Sequence, residues 1–162
     1  MTPTPSRPFM PGYGIAGPEE GTGLLPWSWA VERLKQSHDY WIATVRPDGR
    51  PHVMPVWGVW DDDDSLWFSS SPGSRKTRNL AADPRCTATT DNALEPVIVE
   101  GTVARVHDGS AARRFTDAVN EKYDETYGVE FFVENALLQL VPTWAFGLDE
   151  ADFPGTPTRW RF

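Results

Sequence analysis

A single cysteine, Cys86, is all the thiol that the 162-residue chain carries. It excludes an intramolecular disulfide and any cysteine-based zinc cage. No apolar run approaches the ~20 residues a membrane-spanning helix needs. The opening MTPTPSRPFMPGYG lacks the apolar stretch of a secretory leader. The expectation is a soluble, cytoplasmic protein with no membrane partner. Positive charge is scarce too: 15 Lys and Arg stand against 23 Asp and Glu, a formal net charge of −8. Nothing offers a broad basic face to phosphates, which argues against a nucleic-acid binder. His38, His52 and His107 lack metal-ligand spacing, and neither H-E-x-x-H nor G-x-S-x-G occurs. The run Asp61–Asp64 lacks the alternating oxygens and distal Glu of a calcium loop and reads as a solvated turn. No metal is expected.

What the chain does have is proline (15), glycine (13) and tryptophan (8), spread among short apolar runs. That pattern predicts a β-rich fold with frequent turns. Residues 1–26 read as an irregular Pro/Gly-rich arm, draped over the domain or a neighbour, and residues 27–162 as one domain. The arm contains GYGIAG, the letters of a dinucleotide fingerprint. Without a strand before it and a helix after it, the match is empty. PWSWAVERLKQS has the apolar spacing of a helix with one buried face. DYWIATVR (39–46) and PHVMPVWGVW (51–60) read as a hairpin turning at Gly49. SLWFSSS (65–71), RCTATTD (85–91), PVIVEGTVARVH (96–107) and ALLQLVPTWAFGL (136–148) supply further strands. Gly101 marks a bulge or close approach, and Pro142 an edge or bulge. GSAARRFTDAVNEKY (109–123) is an amphipathic helix. About six antiparallel strands with flanking helices predict a small β-barrel.

One stretch conflicts with the charge balance. SSSPGSRKTRNLAADP (69–84) places Arg75, Lys76 and Arg78 at the start of a short helix capped by Ser74. Cations there oppose the helix dipole. Two readings stay open on physical grounds alone. The cations can pair with Asp61–Asp64 or Asp83 on a solvated surface. Alternatively they can join the free helix N–H groups and Ser69, Ser70 and Ser71 in an anion site.

LWFSSSPGSRKTRNLAADPRC, preceded by ATVRPDGRPHVMPVWGVW and followed by VIVEGTVARV, resembles the pyridoxamine 5′-phosphate oxidase-like superfamily. Within it the chain is most similar to the actinobacterial flavin/deazaflavin oxidoreductases, over about residues 27–107 and again in the ending TPTRWRF. The resemblance implies a mainly β (α+β) split β-barrel of the FMN-binding type. It also implies a homodimer with two cofactor sites at the interface. Ser74, Arg75 and Lys76 would hold the cofactor phosphate, beside Ser69 and Ser70. Pro55, Val56 and Trp57 would run under a tricyclic ring. Trp57, Trp60 and Trp160 are candidate aromatic walls, and Trp160 and Arg161 are counted with the cofactor-binding residues. Arg159 and Arg161 would either cap an anionic substrate or pair with the dimer partner. Val53 and Met54 stand where the vitamin B6 oxidases would place a phosphate-binding arginine, which speaks against that activity.

The function implied is an oxidoreductase passing a hydride between coenzyme F-420 and a small electrophilic organic substrate. His52 is the candidate proton donor. Arg50, Arg78 and the terminal arginines are candidates for the cofactor's anionic tail. FMN is the alternative cofactor, in an oxidase or flavin reductase. A non-catalytic flavin or deazaflavin carrier is a third reading.

Overall fold

The computed structural model describes residues 2–162. Met1, the first residue of the expected arm, lies outside the described residues. Eight strands join in one antiparallel sheet: β1 Thr4–Ser6, β2 Asp39–Val45, β3 Pro51–Trp60, β4 Leu66–Ser70, β5 Arg85–Thr90, β6 Val97–Val106, β7 Ala136–Gly147 and β8 Thr158–Arg161. Their order is β1-β8-β7-β4-β3-β2-β5-β6, and β6 also pairs with β7. That last pairing closes six strands, β2 to β7, into a split β-barrel, with β8 and β1 added outside it. Four helices flank the barrel: α1 Trp27–Gln36, α2 Arg75–Ala82, α3 Gly109–Tyr123 and α4 Val129–Glu134. No helix among the described residues is long and apolar enough to cross a membrane.

Strand alternation fills the interior, since successive side chains point to opposite faces. Tyr40 and Ile42, Val56 and Trp60, Leu66 and Phe68, Val97 and Val99, and Leu138 and Leu140 point inward. The apolar face of α1, with Trp27, Ala30 and Leu34, joins the same cluster. The opposite faces of β4 and β7 are also buried: Trp67 and Leu137 pack against Ala111, Phe115 and Val119 of α3 and Phe132 of α4. Helix α3 therefore lies outside the barrel over β3, β4 and β7. This explains why Leu66, Trp67 and Phe68 of LWFSS are buried in succession rather than alternately.

Three elements differ from the sequence expectation. The arm is not wholly irregular: Thr4–Ser6 pair with Arg159–Arg161. The Arg7 guanidinium then donates to the carbonyls of Gly17, Gly155 and Pro157 at 2.7–3.0 Å. The TPTRWRF ending supplies strand β8, paired with Trp144–Gly147 of β7. Helix α4 was not anticipated, because VEFFVE spans six residues and its aromatic and β-branched content suits a strand as well.

Gly49 turns the β2–β3 hairpin at φ 82°, as its position predicts. Gly101 sits at a register shift between β6 and β7, facing Pro142. A Cβ there would lie 2.0 Å from the Val141 carbonyl oxygen. Gly101→Ala should therefore lower the unfolding free energy by about 3 kcal/mol, the upper range for forced overpacking. Gly109→Ala, at a helix start with nothing within 4 Å, is the control. If urea denaturation gives both variants the parent's midpoint, the close approach is wrong.

Candidate functional site

The site begins where two strands part. β3 and β4 pair through Trp60–Leu66, Val59–Trp67 and Gly58–Phe68, and no further. Beyond that point Pro51–Trp57 pair only with β2, and Ser69 and Ser70 only with β7. The two facing edges leave backbone donors and acceptors without ladder partners. A cavity of about 420 Å³ opens at the split, within the range of small-molecule sites. Pro55, Val56 and Trp57 line one strand edge, and Ser69, Ser70 and Ser71 the other. Phe115 and Val119 of α3, and Tyr127, Phe131, Phe132 and Asn135 around α4, form the opposing wall.

The polar end is built by α2. Ser74 caps the helix, accepting from the Thr77 N–H at 3.3 Å. Its hydroxyl is also bonded to Ser70 at 2.9 Å and to Thr77 at 3.0 Å. Asn79 Nδ2 donates to Thr44 Oγ1 at 3.0 Å, fixing the helix on β2. Ser74 and Lys76 line the cavity, whereas Arg75 is exposed beside it. Burial holds the Lys76 ammonium below its ordinary pKa. No salt bridge among the described residues includes Arg75, Lys76 or Arg78. The carboxylates that offered the surface-pairing reading are engaged elsewhere. Asp83 binds Arg85, and Asp62 binds Lys35, both at 2.6 Å. Among the described residues the dipole conflict is thus unrelieved, and Lys76 is the sole charged side chain lining the cavity.

Several expected residues lie elsewhere. Trp160 is fully buried in the barrel core, its ring 5.4 Å from that of Trp27. Its partner in the β7–β8 ladder is Ala145, itself fully buried, so the side chain points inward and cannot wall a ligand. Trp60 is likewise a core residue. Arg161 lines a separate groove with Asp63, Asp64 and Phe162. Arg50 is occupied by Asp48 at 2.6 Å. His52 does not line the cavity. Burial, then the charges of Arg46, Arg75 and Lys76, lower its pKa, which groups it with the cations of α2. Cys86 is buried and its thiol is pushed up to about 12, as a core residue's would be.

The sequence reading missed the support behind Trp57. Its indole is stacked on Tyr123, the last residue of α3, with centroids 4.3 Å apart and planes 5° from parallel. The Tyr123 hydroxyl accepts from the Gly58 N–H at 2.9 Å and donates to the His38 carbonyl at 2.7 Å. Next to it, Lys122 Nζ donates to the Gly58 carbonyl at 2.9 Å and to the Tyr40 hydroxyl at 3.0 Å. Burial lowers the Lys122 pKa to about 8, although Asp91 and Asp39 pull it partly back. Burial raises Tyr123 to about 12.

The pyridoxamine 5′-phosphate oxidase family matches residues 30–144 of the chain. No curated protein matches it. Among solved structures, a conserved hypothetical protein of Mycobacterium tuberculosis is 22% identical, with TM-score 0.71, over 79% of this chain and 87% of that one. An F-420 reductase is 28% identical, with TM-score 0.59, over 70% of this chain and 93% of that one. A FAD-binding protein of Mesorhizobium loti is 18% identical, with TM-score 0.60, over 85% and 96%.

The Lys122 amine makes a pH test of this side of the site. Its pKa is about 8 in the folded chain against 10.5 ordinarily. Between those values the unfolded chain binds more protons, so this group makes stability rise with pH from about 8 upward. Urea midpoints of the parent, measured relative to Lys122→Met, should climb between about pH 7.5 and 9.5. The buried thiol and phenols oppose this at higher pH, but both chains carry them. A difference that stays flat across the range would mean the amine is not desolvated.

Proposed function

The chain belongs to the pyridoxamine 5′-phosphate oxidase family, and from that premise we propose that it is an oxidoreductase passing a hydride between coenzyme F-420 and a small electrophilic organic molecule. The observation that carries this reading is the cavity at the parted strands, ending at an ammonium without a counter-ion. A ligand with a flat, hydrogen-bonding ring and a phosphate fits both ends. Ser69, Ser70, Ser74 and Lys76 would hold the phosphate, with Arg75 beside it. The free edge at Pro55, Val56 and Trp57 would meet the ring with backbone groups. When bound, the cofactor supplies the hydride chemistry. The protein's own part is to position a substrate against the ring and keep water away. Phe131 and Tyr127, stacked at 5.0 Å, are the apolar surface available for that.

The F-420 reading is supported by the reductase that is 28% identical and by Arg75 and Arg78, which are exposed cations without ion-pair partners. Such cations suit an anionic tail. FMN is the second reading, favoured by a cavity that suits a compact flavin. Val53 and Met54 are half-exposed and apolar, so they offer no arginine for a vitamin B6 phosphate.

A homodimer is part of the proposal. Trp41 and Val53 are 45% and 50% exposed on the outward face of the β2–β3 pair, where Trp41 faces Pro55 and Ala43 faces Val53. A strip of this kind beside the cavity supports an interaction surface there. Light scattering should give the mass of two chains, and Val53→Asp should shift it toward one. A parent that remains a monomer at micromolar concentration would remove the dimer.

Parallel titration with F-420 and FMN, followed by tryptophan quenching, tests the cofactor. Lys76→Ala should weaken the tighter of the two by about ten- to a hundredfold, the worth of one charge-assisted contact at roughly 1.5–3 kcal/mol. Tight F-420 with weak FMN supports the first reading, and the reverse supports the second. Unchanged affinity in Lys76→Ala would sink the phosphate cradle.

A further inference from the structure

We infer that Tyr123 is a positioning residue for the cavity: its ring backs the Trp57 indole and its hydroxyl pins the strand beneath, so that Trp57 presents one fixed flat face to a planar ring system. The inference rests on the cofactor reading above and goes beyond it by naming what sets the ring end.

Trp57 is 37% exposed and lines the cavity, on a stretch of β3 that has lost its β4 neighbour. A half-exposed indole in that setting has two side-chain torsions to settle and little to settle them. Tyr123 removes that freedom. At 4.3 Å and 5° the rings lie in the parallel stack that aromatic pairs favour when offset, which occupies one indole face and leaves the other free. His38 meets the edges of both rings, at 6.2 and 5.2 Å, and closes the side.

The hydroxyl acts on the backbone. Asp39–Trp57 is the last β2–β3 pair, so Gly58 N–H and C=O have no ladder partner on that side. Tyr123 takes the N–H and Lys122 the C=O, and Tyr123 also ties in the His38 carbonyl. One helix end thus fixes the residue that follows Trp57 and the ring of Trp57 itself. The Gly58 position admits no side chain to compete, because a Cβ there would lie 2.9 Å from the Trp67 carbonyl oxygen. Ordinary packing needs neither a cavity-facing indole nor a paired hydroxyl and ammonium behind it.

The ring end and the phosphate end are then separable. Riboflavin carries the ring of FMN without its phosphate. Tyr123→Leu should weaken FMN and riboflavin by the same factor, roughly three- to tenfold. Tyr123→Phe keeps the ring and should restore most of that loss. Trp57→Leu, on the cavity side and away from the hydroxyl network, should weaken both ligands at least as much, which covers the case where Tyr123→Leu fails to fold. Lys76→Ala should instead weaken FMN while sparing riboflavin. If F-420 is the tighter cofactor, the same variants are read on F-420 in place of FMN. Unchanged FMN and riboflavin affinities in Trp57→Leu and in folded Tyr123→Leu would overturn the positioning role while leaving the cofactor reading intact. A parent that binds neither FMN nor F-420 overturns both.

Discussion

Everything at the site depends on the parting of β3 and β4 beyond the Gly58–Phe68 pair. A barrel whose strands stay paired has no free edges and no room for a ligand between them. Here the two edges separate over the residues that carry Pro55, Val56 and Trp57 on one side and Ser69, Ser70 and Ser71 on the other. Unpaired backbone groups are costly unless something binds them. On the other side of β3, past its last pair with β2, Tyr123 and Lys122 satisfy Gly58. The groups on the parted β3 and β4 edges face the cavity instead. The split is therefore both the opening and a large part of its hydrogen-bonding chemistry.

Electrostatics places a second demand at the other end of the same cavity. An overall charge of −8 repels anions from the surface at large, so an anion site needs a local excess of positive charge. Helix α2 supplies it from two sources that oppose each other inside the chain: backbone N–H groups at the helix start, and the cations Arg75, Lys76 and Arg78. Either source alone is tolerable, but together they disfavour the helix until a negative charge lies between them. That no carboxylate among the described residues pairs with them is what separates this helix start from a solvated one. The partial burial of Lys76 sharpens the argument, because desolvation costs an ammonium more than it costs an exposed arginine.

Much of this was legible in the sequence because it rests on local patterns. The β2–β3 hairpin, the Ser74 cap and the Gly101 close approach each follow from a few adjacent residues, and they occupy the positions read for them. What was not legible depends on distant partners. Thr4–Ser6 has a proline at its centre and only three residues, too little for a strand signal, and is a strand because β8 offers an edge. TRWR gives four residues of alternation, too few to separate a strand from a tail. Trp160 looked like a ligand wall by resemblance, yet its inward place follows from pairing with Ala145. Tyr123 read as the last apolar position of an amphipathic helix. Its role at Trp57 arises from where α3 ends, 66 positions along the chain, which no local window contains.

The two ends meet on one rigid element. β3 runs from Pro51 to Trp60 and carries Trp57 on its tyrosine, and its first seven residues are held by β2 alone along an unbroken register. In the proposed complex, a ligand spanning ring and phosphate would have to match that fixed separation, and one with only one of the two groups would gain nothing from the other end. Specificity then comes from distance as much as from contact. In the proposed complex, the held indole and the serine-capped helix would lower the ordering cost of binding. On the proposed reading, flavins and deazaflavins would both suit this geometry, because both present a planar ring and a phosphate. On the proposed reading, the exposed cations Arg75 and Arg78 would add to that choice by meeting an anionic tail.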